Sequence, residues 1–122
     1  MSSLPTREQL ESLLAQRVQI FYQKYLEHCP SNVFCNLFED KVAIVLENSL
    51  TPSTQLLADA GQQELAKKVR NDVQKALEPQ FKAVIEEVLG VPVIDLLSNA
   101  TLETGRTATI VVLAQPPQVQ LG

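Results

Sequence analysis

The sequence predicts an α+β fold: an antiparallel four-stranded sheet made of two β-hairpins, with a long N-terminal helix and a long, kinked or broken central helix. The element order is α-β-β-α(α)-β-β. Three observations predict it. Residues 6–28 and 52–89 place apolar side chains at helical spacing. Residues 32–48 and 91–114 hold short, alternating or β-branched-rich apolar runs. Within each of those two regions a short polar link separates a pair of strand-length runs, as a hairpin requires.

The first helix starts at a capping box, Thr6 with Gln9, and Glu8 sits in the first turn where the helix dipole favours an acid. Leu10, Leu13, Leu14, Phe21, Tyr25 and Leu26 form one apolar stripe interrupted by Arg17, and Pro30 stops the element. A helix over 6–28 runs roughly 34 Å, long for so small a domain, so part of the stripe is expected to pack on something other than its own sheet. In "NVFCNLF", Val33, Cys35 and Leu37 face one way and Phe34, Asn36 and Phe38 the other; "EDK" turns the chain into "VAIVLEN". Thr51 is the N-cap of the next helix and Pro52 suits its first position. An unbroken rod from 52 to 89 would span roughly 57 Å, so a break is expected near Gly61 and a kink or second break at Pro79. "VPVIDLLSN" and "TATIVVLA" are the third and fourth strands, joined by "ATLETGR", in which Gly105 supplies a positive-φ position. Residues 1–5 and the proline-containing tail 115–122 are expected to be flexible, flanking a single domain over 6–114.

Composition narrows the function classes. The 122 residues are 45% hydrophobic and 20% charged, the balance of a soluble globular domain. Aromatics are 5% with no tryptophan, so the core rests on Leu, Val, Ile and Ala. A net charge of −4 argues against a nucleic-acid or anionic-membrane surface, both of which need clustered cations. Two cysteines are too few for a disulfide scaffold, no apolar run reaches bilayer length, and the N-terminus lacks the basic and apolar regions of a signal peptide. A cytoplasmic protein is expected, with no direct membrane insertion.

The succession Leu50-Thr51-Pro52, Leu57, Val69-Arg70, Pro79, Ile85-Glu86, Gly90 with Val93, Leu97-Ser98 and Thr104-Gly105 resembles the MpsC family over about residues 6–114. That family is named for the third component of a Na⁺-linked membrane-potential-generating system tied to inorganic-carbon uptake. The resemblance implies a small soluble partner of a membrane system, with a membrane transporter subunit as a partner. Its carriers are mostly caps, turns and core positions. Two positions depart from the family pattern: Cys29-Pro30 replaces a Gly-Pro approach to the first strand, and Thr54 stands where an acidic residue is usual.

The only histidine and both cysteines gather in "EHCPSNVFCN", as His28, Cys29 and Cys35. Structural zinc wants four N or S ligands, and the chain offers three. Cys35 alternates into the core face of its strand, and helical neighbours such as His28 and Cys29 point apart, so neither a metal nor a catalytic pair is expected. In "KKVRNDVQK", Lys67 and Lys68 read as a solvated face with Glu64 and Asp72 in ion-pairing reach. Arg70 is different. It suits either a bidentate clamp on a carboxylate, bicarbonate or phosphate, or a structural ion pair to the neighbouring sheet or subunit, and the structural role is favoured. Glu86 and Glu87 point in different directions and make no acid–base dyad. Arg106, in the turn Glu103–Arg106, is a polar tip that could meet a partner.

No catalytic constellation and no cofactor fingerprint are present. The sequence therefore favours a non-enzymatic accessory or regulatory interaction protein, a homodimer linked by resemblance to Na⁺ or bicarbonate transport. A small-anion sensor using Arg70 or the helix start at Thr51 comes second, and a thiol-dependent enzyme at Cys29 or Cys35 third.

Overall fold

A computed structural model describes residues 3–120. Seven elements follow one another: α1 (Arg7–Leu26), β1 (Asn32–Phe38), β2 (Lys41–Glu47), α2 (Pro52–Asp59), α3 (Gln63–Leu89), β3 (Val93–Thr101) and β4 (Arg106–Leu113). All strand pairs are antiparallel, in the order β1-β2-β4-β3, so each hairpin contributes one central and one edge strand. The fold is α+β, with the expected α-β-β-α-α-β-β order.

Local chemistry explains most boundaries. Thr6 Oγ1 accepts from the Gln9 N–H while the Thr6 N–H donates to Gln9 Oε1, the reciprocal capping box. α1 ends before Pro30 is reached, because Glu27 turns left-handed at φ 51°. The Thr54 N–H donates to Thr51 Oγ1 at the head of α2, with Pro52 in the first turn. Gly61, at φ +81°, joins α2 to α3 in a backbone region that L side chains rarely adopt. α3 then runs unbroken for 27 residues through Pro79, so the second break does not occur. Gly105 turns β3 into β4 at φ +72°.

The helices cover one face of the sheet. Leu10, Leu14, Val18, Phe21 and Tyr22 of α1 and Phe81, Ile85 and Leu89 of α3 pack on Leu37, Val42, Ile44, Leu46, Val111 and Leu113. Phe21 and Phe81 meet edge to face at 5.1 Å. The buried stripe of α1 differs from expectation: Leu13 and Tyr25 are exposed, and Val18 and Tyr22 take their place in the core. A second, small cluster of Leu50, Ala58, Ala66 and Leu102 seals the α2–α3 corner.

Among the described residues no helix packs on the opposite face of the sheet. Register sets Phe34, Val45 and Ala108 in one row, Asn36, Ala43, Ile110 and Leu97 in the next, and Phe38, Lys41, Val112 and Asp95 in the third. Phe34, Phe38, Leu97 and Ile110 are exposed there. Beyond β4 the chain is irregular but held. Pro117 is buried, Val119 packs on the main core, and the Gln120 N–H donates to the Pro5 carbonyl. The outermost parts of the segments expected to be flexible, 1–2 and 121–122, lie outside the described residues.

Candidate functional site

The main core and the α2–α3 cluster do not merge. Between them lies a cavity of about 550 Å³, walled by the C-terminal turns of α1, the β2–α2 connection and the N-terminal half of α3. Phe21, Tyr22 and Phe81 reach it from the first cluster and Leu50 from the second. The geometry follows from α3, whose last turns bury Phe81, Ile85 and Leu89, while its earlier residues Val69, Val73 and Leu77 form a wall.

Arg70 and Thr51, both singled out from the sequence, line this cavity. Within the chain Arg70 makes no ion pair to the sheet: among the described residues no carboxylate lies within salt-bridge distance of it. Its guanidinium donates instead to Ser98 Oγ on β3 at 2.9 Å and to Asn71 Oδ1 at 3.2 Å. Ser98 Oγ also accepts from Thr109 Oγ1, so the anchor is a chain of neutral hydroxyls. Burial pulls the Arg70 pKa down from its ordinary value, with Tyr22 acting in the opposite sense. Even so, an arginine stays protonated throughout the physiological range. A half-buried cation thus lines the cavity with no carboxylate within salt-bridge distance among the described residues.

Tyr22, which the sequence reading passed over, is its neighbour. The residue is 6% exposed and lines the cavity, and its hydroxyl, which has no protein hydrogen-bond partner among the described residues, is not itself a buried atom. Burial pushes the phenol pKa up and the Arg70 charge pulls it back, so the group stays a neutral donor. Helical spacing carried a signal for it, since Leu14, Val18 and Tyr22 recur every fourth residue. On the cavity floor Ser49 Oγ donates to the Gly105 carbonyl at 2.9 Å and shares a hydrogen bond with Thr107 Oγ1 at 2.7 Å. At the rim, Lys24 stands over the Tyr25 ring at 5.2 Å, and Glu27 adds the lining's single acid.

The other candidates lie elsewhere. The Arg106 Nε–H donates to both oxygens of Glu47 at 2.9 and 3.0 Å across the β2–β4 pair, so Arg106 does not join Arg70 and Thr51. His28 Nε2 donates to the Asn48 carbonyl, and Cys29 Sγ donates to Gln23 Oε1, so neither turns to the other. Cys35 packs against the main core, with its thiol pushed up to about 12 by burial and then by Glu11. Among the described residues no group of three His, Cys, Asp or Glu side chains is placed to hold a metal ion. Lys67 and Lys68 make the surface pairs with Glu64 and Asp72. Glu86 accepts from the Val93 N–H, and Glu87 pairs with Arg17 at 2.9 Å.

Among the described residues no helix is long and apolar enough to cross a membrane. No curated protein and no solved structure matches the chain. The sequence profile described as "Na+-translocating membrane potential-generating system (MpsC)" matches residues 6–115, from the capping threonine of α1 to just past β4 and including every element of the sheet and all three walls of the cavity. The chain belongs to the MpsC family.

Proposed function

We propose that the chain is a non-enzymatic accessory component of a Na⁺-linked membrane-potential-generating system, cytoplasmic, and working as a homodimer in contact with a membrane transporter subunit. The family description supports the system, and the accessory role is in keeping with a chain in which, among the described residues, no helix is long and apolar enough to cross a bilayer. The observation that carries the dimer is the uncovered sheet face. Its three rows present Phe34, Phe38, Leu97 and Ile110 to solvent, a contiguous apolar surface of the kind that marks an interface. Lys41 and Asp95, both on the third row, leave that face with no net charge. A second copy therefore meets no net charge on this face, and two such sheets can stack at the roughly 10 Å spacing of a sandwich. Sedimentation velocity at micromolar concentration should show a dimer for the native chain and a monomer for Phe34→Glu and Leu97→Asp. A monomeric native chain removes the dimer from this reading.

A second reading has its own observation. Arg70 and Thr51 share a cavity in which the guanidinium has no carboxylate partner, which favours an anion-sensing module.

A further inference from the structure

We propose that the cavity between α1, α2 and α3 binds an apolar monocarboxylate, an acid with an aromatic or alkyl body, its carboxylate held by Arg70 and the Tyr22 hydroxyl. This rests on the reading of the cavity as an anion site and specifies what that anion is.

Four observations select the class. The cavity, at about 550 Å³, falls among sites that enclose organic ligands. A water molecule occupies about 30 Å³ of liquid, so an oxyanion of a few such volumes would leave most of this space to solvent. Part of its wall is apolar, with Phe21, Leu77 and Phe81 offering a hydrocarbon body nothing to hydrogen-bond. The charged lining is Lys24, Arg70 and Glu27, two cations and one acid, which a single negative charge neutralises and a dianion would overshoot. Finally, the donors fit a carboxylate. Arg70 has five N–H groups and uses two of them, on Ser98 and Asn71, which leaves three to donate, and the Tyr22 O–H has no acceptor among the described residues.

The free state leaves two groups open that such a ligand engages together. A half-buried guanidinium lacks a carboxylate partner among the described residues, and the Tyr22 hydroxyl opens to the cavity without a protein acceptor; one carboxylate serves both. Ser98 holds the guanidinium from the sheet side, so the clamp is positioned before the ligand arrives and little side-chain freedom is lost on binding.

Isothermal titration and ¹H–¹⁵N correlation spectra with phenylacetate and octanoate test the proposal, each acid paired with its neutral amide, and with inorganic phosphate and bicarbonate as the small anions. Both acids should saturate, with perturbations centred on residues 21–27, 49–54 and 69–81, and each amide should bind at least about ten-fold more weakly than its acid. Arg70→Gln should bring acid down to the level of amide, and Tyr22→Phe should weaken the acid several-fold while leaving the amide unchanged. Should Arg70→Gln fail to fold for want of the Ser98 anchor, the acid–amide ratio and Tyr22→Phe still decide. An amide that binds as well as its acid, or an acid preference that survives in Arg70→Gln, overturns the proposal. Saturable phosphate or bicarbonate binding without response to either acid overturns it but keeps the anion-sensing reading, and silence to every anion removes both.

Discussion

The thiol of Cys35 lies between the inner face of β1 and the Glu11 carboxylate, whose Oε2 accepts from the Leu37 N–H at 2.7 Å. Low dielectric and a neighbouring anion both disfavour a thiolate, so Cys35 is held as a weakly polar apolar residue. Cys29 is exposed within the α1–β1 connection. Iodoacetamide at neutral pH should therefore add one label to the native chain, at Cys29, and two after unfolding, as read by intact mass and peptide mapping. Rapid native labelling of Cys35 would show that β1 opens away from α1. At this scale the sequence was legible where a residue's role is local. The alternation Val33-Cys35-Leu37 was enough to place the thiol inward. Arg70 was legible as an unusual position, but not its partner: Ser98 lies on β3, and only the tertiary fold brings that hydroxyl to α3. Tyr22 was missed because its lone hydroxyl becomes notable only once the cavity beside it exists.

Among the elements, α3 carries the plainest conflict between local preference and tertiary demand. Pro79 sits inside it, where it removes the N–H that would bond the Lys75 carbonyl and crowds that carbonyl with its ring. Packing of Phe81, Ile85 and Leu89 on the sheet and α1 holds the helix together across the defect. Pro79 is exposed, so its ring contributes little burial in return. Pro79→Ala should raise unfolding free energy by about 1 kcal/mol or more, part of the roughly 3 kcal/mol penalty of an interior proline, offset by the freer unfolded chain. Urea denaturation measures it, and a destabilised variant would mean that the helix needs its proline to follow the sheet. The strands, turns and caps were readable because their signals sit within a few residues of each other: Thr6 with Gln9, Thr51 with Pro52, Gly61, Gly105. The facing of α1 was not. Leu10, Leu14 and Phe21 belong to two neighbouring stripes, one continuing to Leu13 and Tyr25, the other to Val18 and Tyr22. Only the position of α3 and the sheet selects the second.

On the scale of the whole molecule, the buried thiol and the buried phenol lean the same way. Cys35 is raised from 9.0 to about 12, and Tyr22 is raised from 10.0, both chiefly by burial. The folded chain therefore holds these protons more tightly than the unfolded chain does. Their contribution is complete below about pH 9 and is lost as pH rises through the folded values. Asp40 and Glu87 are lowered by their hydrogen bonds to Lys41 and Arg17, so their contributions are present above the ordinary carboxylate range and fade in acid. Both of those carboxylates are at the surface, where water and salt screen the pairs. The raised lysines Lys41 and Lys68 are equally exposed, and added salt suppresses their share of the alkaline change. Stability measured by denaturant at fixed protein concentration and high salt should thus be level from about pH 5 to 9 and fall more steeply above that range than below it. Cys35→Ala should flatten the fall from pH 9 upward, and Tyr22→Phe should flatten it from pH 10 upward. The two effects should add, since each group releases its own proton on unfolding. A Cys35→Ala chain with the native alkaline slope would mean that β1 admits water to the thiol, which would also undo the alkylation pattern expected of that strand. The same profile in the presence of a bound carboxylate carries a further signature. The ligand accepts from the Tyr22 hydroxyl and neutralises Arg70, which removes the one charge that favours the phenolate, so the Tyr22 part of the fall should move to higher pH.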